Sequence, residues 1–218
     1  MKNLFIFLIL IFFSLTGLCQ KTKRFSFEIN SGLNGNFFVN DYEEFNGNPN
    51  SQTYFFDKNF VGTVYGLQLS YQFKNLSSLF IAFAQSTNMR KANYWRNVQG
   101  VDVAIRDFRL RYIDQFYQIG FEKAFSEKMP NFKFNVGLVL CGTQEQTVRI
   151  ENWDYYMIMD ERNYRNSGLS EGGVFGGISI KKKIDTKFEL GLKAKVFYLA
   201  SVSTFEAITL TPTLNYNF

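Results

Sequence analysis

From Phe25 onward, apolar and polar residues alternate with a period of two, and the alternation returns in eight runs. In the first, Phe25, Phe27, Ile29, Leu33 and Phe37 share one phase, with Ser26, Glu28, Asn30, Gly32, Asn34 and Asn36 on the other. Further runs begin near Tyr65, Leu79, Ile113, Phe132, Val174 and Phe188; those at Leu79 and Val174 are diluted by Ala and Gly. The last run is LTPTLNYNF, with Leu210, Pro212, Leu214, Tyr216 and Phe218 on one face and Thr209, Thr211, Thr213, Asn215 and Asn217 on the other. Successive strand residues point to opposite faces, so this spacing predicts strands whose two sides meet different media. Pro212 has no N–H, which predicts a bulge or a break in the ladder there.

Short and long connections alternate between the runs: NLSS, AFSEKMP and KIDT are short, and the segments after the first, third and fifth runs are long. Strands of about ten residues, even in number, with short turns at one end, describe a membrane-spanning antiparallel barrel. Lipid offers no hydrogen bonds to an open edge, so such a sheet has to close. The predicted fold is therefore all-β: a closed antiparallel up-and-down transmembrane β-barrel of eight strands, or ten if segments near Tyr54 and Val101 join the wall. A soluble barrel with an apolar lumen is the alternative, because alternation alone does not say which face is inside. On the membrane reading, Glu28, Asp114, Glu122, Lys133, Glu189, Lys193 and Lys195 form a lumen charge network. An eight-stranded lumen is only wide enough for its own side chains, which favours a paired plug over a channel. Val101 to Tyr112 also alternates, suggesting an exposed ribbon, and its phase against Ile113 and Tyr117 predicts a bulge near Tyr112.

The N-terminal twenty residues follow a different pattern. Lys2, an unbroken apolar run from Leu4 to Phe13 and small residues at Gly17 and Cys19 are the layout of a cleaved secretory signal. This divides the chain into a signal peptide, 1–19, and a barrel domain, 20–218, with lipidation of Cys19 as the rival reading. Beyond the signal only Cys141 remains, so no intrachain disulfide is available. The net charge of +5 is modest, and the Lys181–Lys182–Lys183 run reads as a solvated turn, so no nucleic-acid partner is expected. The chain has no His. Without it a general base near neutral pH is hard to supply and metal binding loses its commonest ligand, so no enzymatic activity, cofactor or metal is expected.

The cleavable signal, the alternating strands and the ending LNYNF together resemble the small outer-membrane β-barrels of Gram-negative bacteria, the OmpX, OmpA-barrel and PorT-like group. The resemblance spans the mature chain. It implies a cell outer membrane location with outer-membrane lipid as partner. It also implies insertion by the barrel-assembly machinery, reading an assembly signal at Leu210, Leu214, Tyr216 and Phe218. The long segments supply loop contact candidates: Tyr94, Trp95, Arg96, Trp153, Tyr155, Tyr156, Met157 and Met159, with the aromatic, Met and Arg content of binding surfaces or of an interfacial girdle. The expected function is a structural or interaction role, presenting these loops to a partner or surface, including other envelope proteins. A PorT-like subunit of a secretion or assembly complex and a narrow solute channel are the alternatives.

Overall fold

The computed structural model describes residues 24–37, 53–57, 61–73, 76–98, 101–150, 157–163 and 170–218. The signal segment, including Cys19, lies outside them, as do Trp153, Tyr155 and Tyr156. The described residues form strands β1 (Phe25–Asn36), β2 (Thr53–Asp57), β3 (Val61–Gln72), β4 (Ser77–Val98) and β5 (Val101–Ser126), followed by β6 (Met129–Ile150), β7 (Met157–Asn163), β8 (Ser170–Lys183), β9 (Phe188–Leu199) and β10 (Thr204–Asn217). Eight of them close into an antiparallel ring in the order β1-β3-β4-β5-β6-β8-β9-β10, and β10 returns to β1. The short strands β2 and β7 stand outside the ring. They pair with the far ends of β4 and β6, β2 along Lys91–Trp95 and β7 along Gln144–Ile150. The wall is thus eight-stranded, and the Tyr54 and Val101 segments lengthen a ribbon rather than add wall strands.

The ring closes where the chain begins and ends. β1 and β10 pair from Ser26 opposite Asn217 to Asn36 opposite Ala207. The Phe218 N–H donates to the Phe25 carbonyl at 3.0 Å, so the last residue is the last rung. No bulge occurs at Pro212: its register with β9 runs on unbroken, and only the rungs to β1 at Thr211 and Pro212 are missing, as expected where an N–H is lacking. The bulge in β10 lies instead between Phe205 and Ala207. Tyr112 likewise sits in a continuous register, opposite Asn88, and shares the inward phase of Asp114. The β4–β5 irregularity comes higher, opposite Ala92 and Tyr94. Tyr112 therefore belongs to the lumen phase of the wall, and no break in register separates it from Ile113.

Polarity is inverted relative to a soluble barrel. Ile29, Leu67, Ile81, Ile119, Leu138, Ile178, Leu192 and Leu210 are exposed on the outside, whereas Glu28, Glu122, Lys193 and Asp114 are buried inside. Aromatic rings border the apolar band at both ends. Near the chain termini, Phe25, Tyr71 and Phe73 meet edge-on, as do Phe125 and Phe132, and Tyr216 lies between Phe188 and Phe218. At the other end Phe205 packs between Phe37 and Tyr198. From Phe205 to Tyr216 there are about ten rises of roughly 3.3 Å on a strand tilted by about 40°, giving roughly 25 Å, the height of an outer-membrane apolar band.

Two inward glycines set how tightly the wall can pack. Gly120 and Gly137 face each other across β5 and β6, and a Cβ on Gly137 would press on the Ile119 carbonyl and lie 2.7 Å from Phe175 Cζ. A Cβ on outward Gly176 would meet nothing within 4 Å. Replacing Gly137 with Val should therefore destabilise the barrel by about 2 kcal/mol or more, and Gly176→Ala should be near neutral. Urea unfolding of the detergent-folded protein checks the pair; equal stabilities would contradict this packing.

Candidate functional site

The lumen is filled by three strata of side chains. At the end nearest the termini, acids and cations from five strands alternate in a chain. Lys133 Nζ on β6 lies 3.1 Å from Glu122 Oε1 on β5, and Lys181 Nζ on β8 lies 3.4 Å from the same oxygen. Lys181 Nζ is also 2.8 Å from Glu28 Oε2 on β1, whose other oxygen accepts from Lys193 on β9. Lys193 donates further to Gln68 Oε1 on β3 at 2.9 Å, and Gln68 Nε2 donates to Ser70 Oγ at 3.0 Å. Each buried carboxylate thus meets two ammonium groups, the arrangement that offsets the cost of taking these charges out of water. Below the network a cavity of about 250 Å³ opens at the barrel mouth, lined by Gln72, Lys133, Lys181, Glu189 and Asn217 among others.

The middle stratum is apolar. Phe116 stacks on Phe197 with centroids 4.3 Å apart, and Phe175 packs between Phe197 and Phe80, each at 5.9 Å. Val64, Val139, Cys141 and Leu199 complete the layer. Lys195 spans the boundary with the charged stratum. Its Nζ donates to Gln118 Oε1 at 2.6 Å and lies 5.1 Å and 4.8 Å from the Phe80 and Phe175 ring centres, with no carboxylate in ion-pair contact among the described residues. Ring quadrupoles supply part of what a counter-ion would.

At the far end sit two carboxyl groups without a cationic partner among the described residues. Asn36 Nδ2 donates to Asp114 Oδ2 at 2.8 Å and to Glu206 Oε1 at 3.3 Å. Ser86 and Thr143 donate to Asp114, each at 3.2 Å, and the Tyr112 hydroxyl donates to Glu206 at 3.1 Å. The Phe205–Ala207 bulge is what turns Glu206 inward, since regular alternation would give both it and Ala207 different faces.

Of the charges expected in the lumen, Glu28, Glu122, Lys133 and Lys193 are joined in one network. Lys195 faces inward but outside any ion pair, Asp114 belongs to the opposite end, and Glu189 lies at the mouth, where Asn215 Nδ2 donates to it at 3.3 Å. The Lys181–Lys182–Lys183 run is no solvated turn: it ends β8, and Lys181 is the buried centre of the network. Strand parity contains this result, because Ile178 and Ile180 facing outward force Lys181 inward. Parity also exposes the aromatic layer, since Phe80, Phe116 and Phe197 occupy the polar phase. Glu206 is different: only the bulge brings it in. Leu210 and Leu214 face outward and Tyr216 and Phe218 join the lower ring tier, all in the closing strand. Tyr94, Trp95 and Arg96 lie on β4, and Met157 and Met159 on β7 opposite Ile150 and Val148, so these candidates occupy paired strands rather than loops.

No protein-family model matches the chain, and no curated protein matches it in sequence. Three solved structures similar to it are small barrels. Ail, the attachment invasion locus protein of Yersinia pestis, solved with the heparin analogue sucrose octasulfate, shares 11% identity over 89% of this chain and 99% of that one, with a TM-score of 0.49. Neisserial surface protein A shares 11% over 89% and 97%, with a TM-score of 0.43. The N-terminal β-barrel domain of Pseudomonas aeruginosa OprF shares 12% over 88% and 97%, with a TM-score of 0.34.

The two lysines two residues apart on β9 should respond differently to the same change. Lys193→Met strips a cation from buried Glu28 and should cost about 3–5 kcal/mol, whereas Lys195→Met leaves no carboxylate unpaired and should cost clearly less. Chemical unfolding of both variants measures the difference; a costlier Lys195→Met would contradict the pairing described here.

Proposed function

We propose that the chain is an integral β-barrel of a Gram-negative outer membrane, with both termini periplasmic, that serves as a structural and interaction protein rather than an enzyme. The observation that carries this reading is the inverted polarity of the closed wall: an apolar band outside, between two aromatic tiers, and charge inside. In water such a surface would aggregate; in a bilayer it is the stable arrangement. The barrel-assembly machinery would read the closing strand at Leu210, Leu214, Tyr216 and Phe218. The β2-β4-β5 ribbon and the β6-β7 hairpin rise from the opposite end and are the natural elements to meet a partner, including another envelope protein, as a PorT-like subunit would. The channel alternative is disfavoured by the stacked Phe116 and Phe197 rings above the ion-paired stratum.

Two measurements test this. The membrane-extracted protein should run as a compact band that shifts on boiling, and deleting Phe218 should diminish it; recovery in the soluble periplasmic fraction would overturn the reading. In planar bilayers the purified barrel should give no stepped conductance, and well-resolved openings would restore the channel.

A further inference from the structure

We propose that the cavity at the barrel mouth nearest the termini binds a small zwitterion of the amino-acid class, its carboxylate on Lys183 and its ammonium on Glu189 and Asn215. That this mouth opens to the periplasm rests on the reading above; the chemistry of the site rests on the closed ring alone.

The charges around the cavity point to a ligand with both signs. Glu122, Lys133, Lys181, Lys183 and Glu189 all line it. Three of them are committed: Glu122 is held by Lys133 at 3.1 Å and by Lys181 at 3.4 Å, and Lys181 is bound to Glu28 as well. Lys183 and Glu189 are left over. They stand opposite each other across β8 and β9, yet neither is in ion-pair contact with any described residue. Opposite charges on facing strand positions, about 5 Å apart at Cβ, ordinarily stabilise a ladder by meeting. Here one cation and one anion border the same open space without meeting. A simple anion seated on Lys183 would be repelled by Glu189, and a simple cation on Glu189 by Lys183. A molecule carrying an ammonium and a carboxylate a few bonds apart satisfies both.

An orphaned acceptor stands beside the acid. Asn215 on β10 lies next to Glu189 in register and also lines the cavity. Both hydrogens of its amide are used, one to Glu189 Oε2 at 3.3 Å and one to Asn217 Oδ1 at 3.1 Å. Its Oδ1 has no hydrogen-bond partner among the described residues, although Asn215 is only 3% exposed. A buried acceptor left unpaired is costly, and an ammonium, with three donors, can serve Oδ1 and the Glu189 carboxylate together.

Size and position narrow the ligand further. The cavity holds about 250 Å³, below the roughly 300 Å³ at which pockets for drug-sized ligands begin. Its remaining wall includes the hydroxyls of Ser26, Ser70 and Ser78, which suit a polar side chain. The site lies at the level of the Tyr216 and Phe218 rings, at the edge of the apolar band, so a water-soluble molecule reaches it without crossing the lumen.

The test records amide NMR spectra of the isotope-labelled protein in detergent micelles, with the Asn215 side-chain amide as reporter. Glutamine is the probe, and N-acetylglutamine, glutaminamide and sucrose are the comparisons. Glutamine should give a saturable shift of the Asn215 amide. The acetylated analogue, which lacks the cation, and the amide, which lacks the carboxylate, should each bind about tenfold or more weakly. Lys183→Gln and Glu189→Gln should lower the affinity for glutamine by a similar factor, and Lys182→Gln, on the opposite face of β8, should leave it unchanged. Neither of the two site variants strips a partner from a buried charge, so both keep the ring. Shifts that rise without saturating, equal binding of a capped analogue, undiminished affinity in both site variants, or a preference for sucrose would overturn the proposal. Because the ring is closed in either medium, recovery of the protein in the soluble fraction would overturn the membrane reading without altering the result expected here.

Discussion

The constraint on which everything else rests is closure. A sheet with an apolar outer face cannot leave backbone N–H and C=O groups open toward hydrocarbon, so its two edge strands have to find each other. Here β1 and β10 meet over nearly their full length, and the Phe218 N–H completes the seam at the Phe25 carbonyl. Once the ring is shut at eight strands, the diameter is fixed, and so is the volume that side chains have to fill. The inward phase of every strand becomes a packing problem with one solution per level.

That problem is solved with different chemistry at each level. Near the termini, charges are admitted because they come as an alternating series, each carboxylate held by two ammonium groups. In the middle, four phenyl rings take the place of polar side chains, and Gly120 and Gly137 give up their own volume so that Phe80 and Phe175 can reach the wall. Lys195 joins the two levels, with its ammonium shared between an amide oxygen and two ring faces. At the far end the acids are met by neutral donors from Asn36, Ser86, Thr143 and Tyr112. Internal cohesion is thus provided by the same side chains that fill the lumen.

Most of the wall was legible because a period of two survives any uncertainty about strand ends. Glu28, Glu122, Lys133 and Lys193 were visible as inward charges for that reason, and Lys181 was equally visible once Ile178 and Ile180 were placed outside; reading KKK as a unit hid it. Parity could not say which inward charges touch, because that depends on the stagger between strands, and so Asp114 and Glu189 were grouped with a network they do not join. Nor could it place Glu206, since a bulge is a local break in the rule that parity relies on. The projecting β4–β5 ribbon was announced by the alternation of Val101 to Tyr112, whereas the pairing of β7 with the far end of β6 was obscured by an aromatic and charged composition that resembles a loop until the partner is known. Pro212 was legible too: of the bulge or break that its missing N–H announces, the break is present, as two omitted rungs on the β1 side.

The pairing of Glu28 carries a consequence for how the ring comes to be complete. Its two cations arrive on β8 and β9, more than 150 positions later for Lys181 and 165 for Lys193, so the first strand holds a carboxylate that stays uncompensated until the final hairpins are in place. A ring that shut early, on a wrong neighbour or one hairpin short, would trap that charge away from both water and its partners. The lumen therefore acts as a check on the count of strands: electrostatics rewards only the ring in which the beginning of the chain has met the right part of its end.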